Sequence, residues 1–420
     1  MGMIEEEVVI VGAGIAGLAT ALALKRVGIR ALVLEKADGL RTTGAALSLF
    51  PNAWLALDAL GISHKLTSIY AATQKSCITN VGTGTSQEVS FGTNSSVPGG
   101  NGPRCVHRRA LLEALAEELS EDTIRFSSKL SSIETQAQEG SSIAIIRLED
   151  GAIIRAKVLI GCDGVHSVVA RWLGFSKPID SGRWAVRGLA VFPEGHGLKQ
   201  EVHQFLDTGK KAAFLPLTEK EVYWFFAGQS TIKGEYMTSD PELIQRGVLE
   251  NFAKDFPPSY KDIVCHSDLA SLSWAPLMFR YPWDVIFGKV SKGNITVAGD
   301  AMHPMTPDLG QGGCAALEDA VVLGRHIGES CIQNGGLKPA EVARAIDGYV
   351  KARRWRAATL ITGSFLSGWV QQDGSSWMKS FRDWIFYGLL FRRLFNAIHY
   401  DCGKLPSVSS SKLEGQSKID

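Results

Sequence analysis

The first strong apolar run is Val8-Val9-Ile10-Val11. A glycine-spaced turn, Gly12-Ala13-Gly14-Ile15-Ala16-Gly17, follows it, then an apolar stretch that reads as a helix to Val27. A second run, Ala31-Leu32-Val33-Leu34, closes on Glu35. Short continuous apolar runs on either side of a helix pattern predict a strand–turn–helix–strand unit with a parallel pairing. Pro51 starts a helix that Gly61 stops. Residues 74–91 alternate apolar and polar positions, as antiparallel strands do. After Val106-His107-Arg108-Arg109 comes a helix from Ala110 to Leu119, then strand-like runs at 143–146, 153–154 and 158–160. The last run ends in Gly161-Cys162-Asp163-Gly164-Val165-His166-Ser167, and a helix pattern continues to Trp172.

From 183 to 228 the pattern changes. Trp184-Ala185-Val186, Val202-His203-Gln204-Phe205 and Val222-Tyr223-Trp224-Phe225-Phe226 read as strands joined by short polar turns. This second sheet lies between pieces of the first domain. Asp240-Pro241 opens a helix through Phe252. Ile295-Thr296-Val297-Ala298 is a strand ending in Gly299-Asp300, and a loop through Pro304, Pro307 and Gly310 leads to Gly312-Gly313. A helix begins about there and runs to Ile327, and another spans Pro339 to Ile361.

Composition narrows the classes. The 420 residues allow two joined domains with a large core. Hydrophobic residues are 45% and charged residues 21%, ordinary for a globular chain. A net charge of +1 gives no electrostatic case for nucleic acid. Seven cysteines without CxxC spacing or Cys/His clusters argue for a reducing compartment and against a structural metal site. No signal peptide is expected ahead of the first strand, Ser411-Lys412-Leu413 is not C-terminal, and no apolar run reaches membrane-span length. These readings predict a cytoplasmic protein.

The glycine turn carries the clearest chemistry. Gly12 permits the tight turn, Gly14 lets backbone approach a pyrophosphate, and Gly17 lets the helix pack on the sheet. The helix N-terminus at Ile15 and Ala16 offers free N–H groups to phosphate. Glu35, with Lys36 beside it, stands where a carboxylate would grip ribose hydroxyls.

Three motifs in order extend this reading: the GxGxxG with Glu35, Cys162-Asp163-Gly164 with Ser167 and Arg171, and Gly299-Asp300 with Pro304. Over roughly Val8 to Arg356 the chain resembles the single-component (group A) FAD-dependent aromatic hydroxylases. Within them it is similar to plant monooxygenases related to zeaxanthin epoxidase and to salicylate hydroxylase-like proteins. The resemblance implies an α/β, p-hydroxybenzoate hydroxylase-like fold: a Rossmann-like FAD-binding domain with an inserted antiparallel β-sheet substrate domain and C-terminal helices. The FAD-binding domain would take 1–72, 104–178 and 281–360, and the substrate domain 73–103 and 179–280. C-terminal helices would fill 361–402 and a disordered tail 403–420. Asp300 would accept hydrogen bonds from the ribityl chain, or else cap a helix. Gly310, Gly312 and Gly313 would lead a helix N-terminus to the flavin pyrimidine ring, with Pro304 stiffening the loop. Arg108 would contact FAD near its diphosphate, Arg41 would lie near flavin and nicotinamide, and Asp163 would hold Arg108 or a ribose.

The activity implied is NAD(P)H- and O₂-dependent hydroxylation or epoxidation of a small aromatic or other electron-rich lipophilic substrate, through a flavin C4a-hydroperoxide. NADPH or NADH would bind transiently, since the convincing GxGxxG is taken by FAD. Arg187, His203, Phe214, Tyr223 and Phe225 are the candidate substrate-lining residues, with Tyr223, Arg187 and His303 as catalytic candidates. A strand alternates faces, so about half of the lining set is expected to point away. Two rival readings share the scaffold: a flavin dehydrogenase or reductase, and a non-catalytic flavin-binding interaction protein. Finally, Trp377 to Tyr400 combines helically spaced aromatics with Lys379, Arg382, Arg392 and Arg393. It suits packing on the body, and also an anionic membrane or hydrophobic partner.

Overall fold

The computed structural model describes residues 3–40, 45–91, 102–138, 141–230, 240–372 and 398–407. Its first sheet has eight strands. The strand Ile4–Val11 pairs in parallel with Leu32–Leu34 on one side and Ile153–Gly161 on the other, and Ile295–Val297 extends it in parallel. Val8, Val9 and Ile10 are fully buried, which explains their unbroken apolar text. Helix Ile15–Arg26 is alanine-rich because it is covered on several sides. It packs against the long helix Gly312–Asn334, where a Cβ at Gly324 would come within 2.6 Å of the Ala23 Cβ. Small residues let the two backbones approach closely.

The second sheet has seven strands, in the order Ser273–Phe279, Ile179–Val191, Glu221–Gln229, Lys210–Pro216, Glu201–Asp207, Lys75–Asn80, Ser86–Ser90. One pairing, Glu201–Asp207 with Lys75–Asn80, is parallel and the others are antiparallel. One face carries Trp184, Phe214, Trp224 and Phe226 against Phe252, Phe256 and Tyr260 of the helical segment 241–265, forming a separate core. The opposite face meets the nucleotide-binding domain, whose core includes Leu215 and Tyr223.

Three elements differ from expectation. The helix after Asp240 is α-helical only over Pro241–Gly247; a π turn, Val248–Phe252, then brings both Val248 and Phe252 into the second core. The helix from Pro339 runs past Ile361 to Gln372, held there by Phe365 stacking on Phe279 at 4.9 Å. Of the tail expected over 403–420, residues 408–420 lie outside the described residues; the described part is held to the body, where Arg325 donates to the Cys402 carbonyl at 2.5 Å and Leu405 packs against the core. Of the stretch 377–400, residues 377–397 lie outside the described residues. Its end returns to the body, with the Tyr400 ring 4.1 Å from the Arg356 guanidinium. Among the described residues no helix is long and apolar enough to cross a membrane.

Candidate active site

The strand Ile4–Val11 delivers the glycine turn to the edge of the parallel sheet. Gly12 has φ of +104°, and a Cβ there would lie 2.5 Å from the Cys162 carbonyl oxygen. At Gly17 a Cβ would lie 1.8 Å from the Gly12 carbonyl oxygen, so the helix is pressed onto the turn. Gly14 is different: a Cβ there meets nothing within 4 Å. The space in front of the helix is therefore open, and its first turn carries no acidic residue. An open helix N-terminus with no acidic residue suits an anion.

Two further glycine segments close around the same turn. A Cβ at Gly299 would lie 2.7 Å from the Ala16 Cβ, and one at Gly313 would lie 3.6 Å from the Ile15 Cδ1. Gly310 is left-handed, and its Cβ would meet the Phe50 ring at 2.8 Å. The Pro304 carbonyl accepts the Arg280 N–H at 3.0 Å, fixing the loop to the strand end at Phe279. Asp300 stands exposed in this cradle, makes no hydrogen bond among the described residues, and lies 3.9 Å from where a Gly312 Cβ would be. It does not act as a side-chain cap. A carboxylate left free beside an open cradle fits a ligand's hydroxyls.

Other residues are more committed to the protein. Glu35, 8% exposed, accepts from the Ala13 N–H at 2.8 Å and the Ala37 N–H at 2.9 Å, so it also pins the glycine turn. Each oxygen keeps a lone pair for a further donor. Asp163 accepts from Ser167 Oγ at 2.5 Å and Val168 N–H at 2.6 Å, capping the short helix Val168–Trp172. Burial raises its pKa, while those hydrogen bonds pull the other way. Among the described residues its carboxylate is thus held by Ser167 and the start of this helix rather than by Arg108. Arg108 opens the helix Arg108–Ala116 and is half-buried, Lys36 is exposed, and Arg41 lies outside the described residues.

Beneath the cradle is a buried ion network that the sequence reading did not find. Asp319 accepts from the Gly299 N–H at 2.8 Å, His303 Nε2 at 2.5 Å and Arg353 Nε at 2.7 Å. Its neighbour Glu318 takes Arg353 Nη1 at 2.7 Å, Arg356 Nε at 2.6 Å and Asn52 Nδ2 at 2.6 Å. Burial alone would raise the Asp319 pKa, but His303 and Arg353 hold it well below the carboxylate range. Burial pushes the His303 imidazole down, yet the Asp319 charge and hydrogen bond outweigh it and its pKa ends above the ordinary value. His303 thus clamps the Gly299–Asp300 turn. The available signal was an acidic pair inside the otherwise apolar first half of the helix, Cys314 to Gly324, since buried charges require partners.

The second sheet divides the substrate candidates by face. Arg187 pairs across from Phe225, and Leu189 from Tyr223, so Arg187, Tyr223 and Phe225 share one face. Tyr223 belongs to the core on the nucleotide-domain side. His203 and Phe214 pair directly and their rings stack at 4.8 Å, but on the helix-covered face. That placement removes both from the expected substrate lining. Burial pushes the Tyr223 phenol up to about 12, with Arg187 opposing the shift. Neither Arg187, half-buried, nor the Tyr223 hydroxyl has a hydrogen-bond or ion-pair partner among the described residues. On the same face Arg183 makes a buried two-pronged bond to Asp308, at 3.0 and 2.7 Å, tying the sheet to the loop that ends at Gly310.

A nucleotide cradle built from three glycine segments, facing a polar-studded sheet, defines a flavoprotein-like site. The family model described as FAD binding domain matches residues 5–364, and the chain belongs to that family. "Monooxygenase 2" of Arabidopsis thaliana is 42% identical over 410 residues, covering 95% of this chain and 98% of that protein. "Monooxygenase 1" of the same plant is 36% identical, covering 96% and 100%. Klebsiella pneumoniae HpxO, solved with FAD and uric acid, superposes with a TM-score of 0.79 at 23% identity, covering 94% and 96%. The fold is thus the p-hydroxybenzoate hydroxylase-like one, and the protein is an FAD-dependent monooxygenase.

Proposed function

We propose that the enzyme uses NADPH or NADH and O₂ to hydroxylate or epoxidise a small, electron-rich aromatic substrate bearing an anionic or carbonyl oxygen. The reading rests on one observation. Arg187 is a half-buried guanidinium with no acidic partner among the described residues, on the sheet face that also carries Tyr223. An unpaired, partly desolvated arginine suits a carboxylate, phenolate or ring carbonyl. The Tyr223 phenol, held protonated, serves as a hydrogen-bond donor rather than a base. Phe225 offers an aromatic wall.

FAD, when bound, supplies the redox and oxygen-transfer chemistry. The chain's residues hold and orient the reactants. Gly12, Gly14 and Gly17 with the N-terminus at Ile15 and Ala16 would receive the pyrophosphate, Glu35 a ribose, Asp300 the ribityl hydroxyls, and Gly312 and Gly313 the flavin ring. The N-terminus of the helix Gly312–Asn334 would present its positive end to the flavin ring and favour negative charge there. HpxO was solved with uric acid, a carbonyl-rich heteroaromatic of the proposed kind.

The test is a screen of phenolic acids, indoles, purines and isoprenoids on purified yellow protein, following NADPH and NADH oxidation, oxygen uptake and product together. Stoichiometric consumption of reductant and oxygen with an oxygenated product is expected for an acidic or carbonyl-bearing aromatic. Product formed without oxygen uptake would instead make it a dehydrogenase.

A further inference from the structure

Trp283, Phe287 and Trp355 are 50%, 83% and 64% exposed, and apolar side chains exposed together on one face mark interaction surfaces. They come from two elements locked side by side. The short helix Pro282–Phe287 and the residues after it lie along Pro339–Gln372, where Arg354 Nη2 donates to the Gly288 carbonyl at 3.4 Å and Ser291 Oγ donates to Asp347 at 3.2 Å. Trp283 is set by stacking on Tyr281 at 4.2 Å, so its ring is presented rather than loose. Exposed Lys289 follows Phe287 by two residues, exposed Lys351 precedes Trp355 by one helical turn, half-buried Arg354 adjoins Trp355, and beyond Lys289 exposed Lys292 sits over the Trp172 ring at 4.9 Å. On the same two elements stand Asp284, half-buried, and Asp347, exposed and accepting from Ser291. Further along the long helix the outward positions are Thr359, Thr362 and Trp369, none of them charged. From Trp355 to Trp369 this uncharged stripe spans about 21 Å at 1.5 Å per residue.

We propose that this aromatic face is a docking surface for an anionic lipid bilayer. Indole and phenyl rings partition into the headgroup boundary, and the surrounding cations add attraction to acidic headgroups. The contact is peripheral: the rings enter the interface while the cradle and the sheet site stay on the body. The surface shares no residue with the FAD cradle or the substrate face, so it can be altered without touching either.

The experiment is sedimentation of the full-length, FAD-loaded protein with vesicles of phosphatidylcholine alone or with about one-third phosphatidylserine. Binding is expected to the anionic vesicles, to weaken on adding salt, and to be about tenfold or more weaker on phosphatidylcholine alone. The double variant Phe287→Ser/Trp355→Ser should lose most of that binding while keeping its flavin absorbance and NAD(P)H oxidation rate. Lys289→Glu/Lys351→Glu should lose the preference for anionic vesicles. No binding of the wild-type protein to anionic vesicles would overturn the proposal. So would full binding by Phe287→Ser/Trp355→Ser, which would move the lipid contact to another part of the chain. A wild-type dimer that the same double variant dissolves would assign the face to a second copy instead.

Discussion

Gly14 is the position where one added side chain has the most direct consequence. A Cβ there collides with no protein atom, so a larger residue should leave the fold intact and occupy the space proposed for the pyrophosphate. Gly14→Val should purify as a folded but colourless protein; normal flavin absorbance in it would refute the phosphate-loop reading. Glu35 and Asp300 separate by the same reasoning. Glu35 holds two backbone N–H groups, whereas Asp300 holds none among the described residues. Both alanine variants should bind FAD more weakly, by ~1.5–3 kcal/mol for a hydrogen bond to a charged acceptor. Only Glu35→Ala should also lower the melting temperature of the FAD-free protein, and equal melting of both apo variants would contradict this division. These residues were legible in the sequence because each sits at a fixed offset from a strand end. The His303–Asp319–Arg353 network was not, because its members meet only when two helices pack. Its pH dependence follows from the pKa directions. His303 is raised on folding, so its contribution is complete below its unfolded value of about 6.5 and is lost as pH rises through the folded one. The stability gap between wild type and His303→Gln, read as melting temperature from pH 6 to 9, should therefore narrow toward alkaline pH; a constant gap would mean the imidazole is neutral throughout.

Among the elements, the strand Glu221–Gln229 shows where periodicity stops informing. Val222 to Phe226 are all apolar because both faces of the sheet are covered, one by helices and one by the nucleotide domain. Without alternation the parity of a strand cannot be read, which is why His203 and Phe214 stood beside Arg187, Tyr223 and Phe225 until pairing register separated them. Register also puts Arg187, which has no partner among the described residues, on the face where Arg183, four residues earlier, is consumed by Asp308. Arg187→Ala should leave FAD content unchanged and raise KM for an acidic aromatic substrate by about one to two orders of magnitude, the equivalent of ~1.5–3 kcal/mol. Arg187→Lys should restore only part of that, since an ammonium cannot make the planar two-pronged contact. Unchanged KM in Arg187→Ala, with a substrate whose oxygenation is established, would take the substrate's acidic group elsewhere.

At the scale of the molecule, the cradle gathers residues near 12–17, 35, 299–300 and 310–313, and noncovalent ties hold the second sheet to the segments around it. Among them are Arg183 with Asp308 of the cradle loop, Glu221 with His107 of the short strand Arg104–His107 at 3.3 Å, and Phe279 stacked on Phe365 of the long helix. Motif order in the sequence announced that the segments converge, but not what braces them, since each brace depends on residues distant in the chain. A ligand bound by several distant segments is bound by the folded state alone. FAD at a hundredfold excess over its Kd should then stabilise the whole chain by about 2.7 kcal/mol. The expected result is a thermal midpoint that climbs with added FAD in the wild-type apoprotein and stays flat in Gly14→Val. Following both sheets by tryptophan fluorescence sharpens the test, because Trp54 is buried in the first core and Trp184 and Trp224 in the second. If the braces couple the sheets, both cores should melt together and shift together. A second-core transition that ignores FAD would show that the substrate sheet unfolds independently of the cradle it faces.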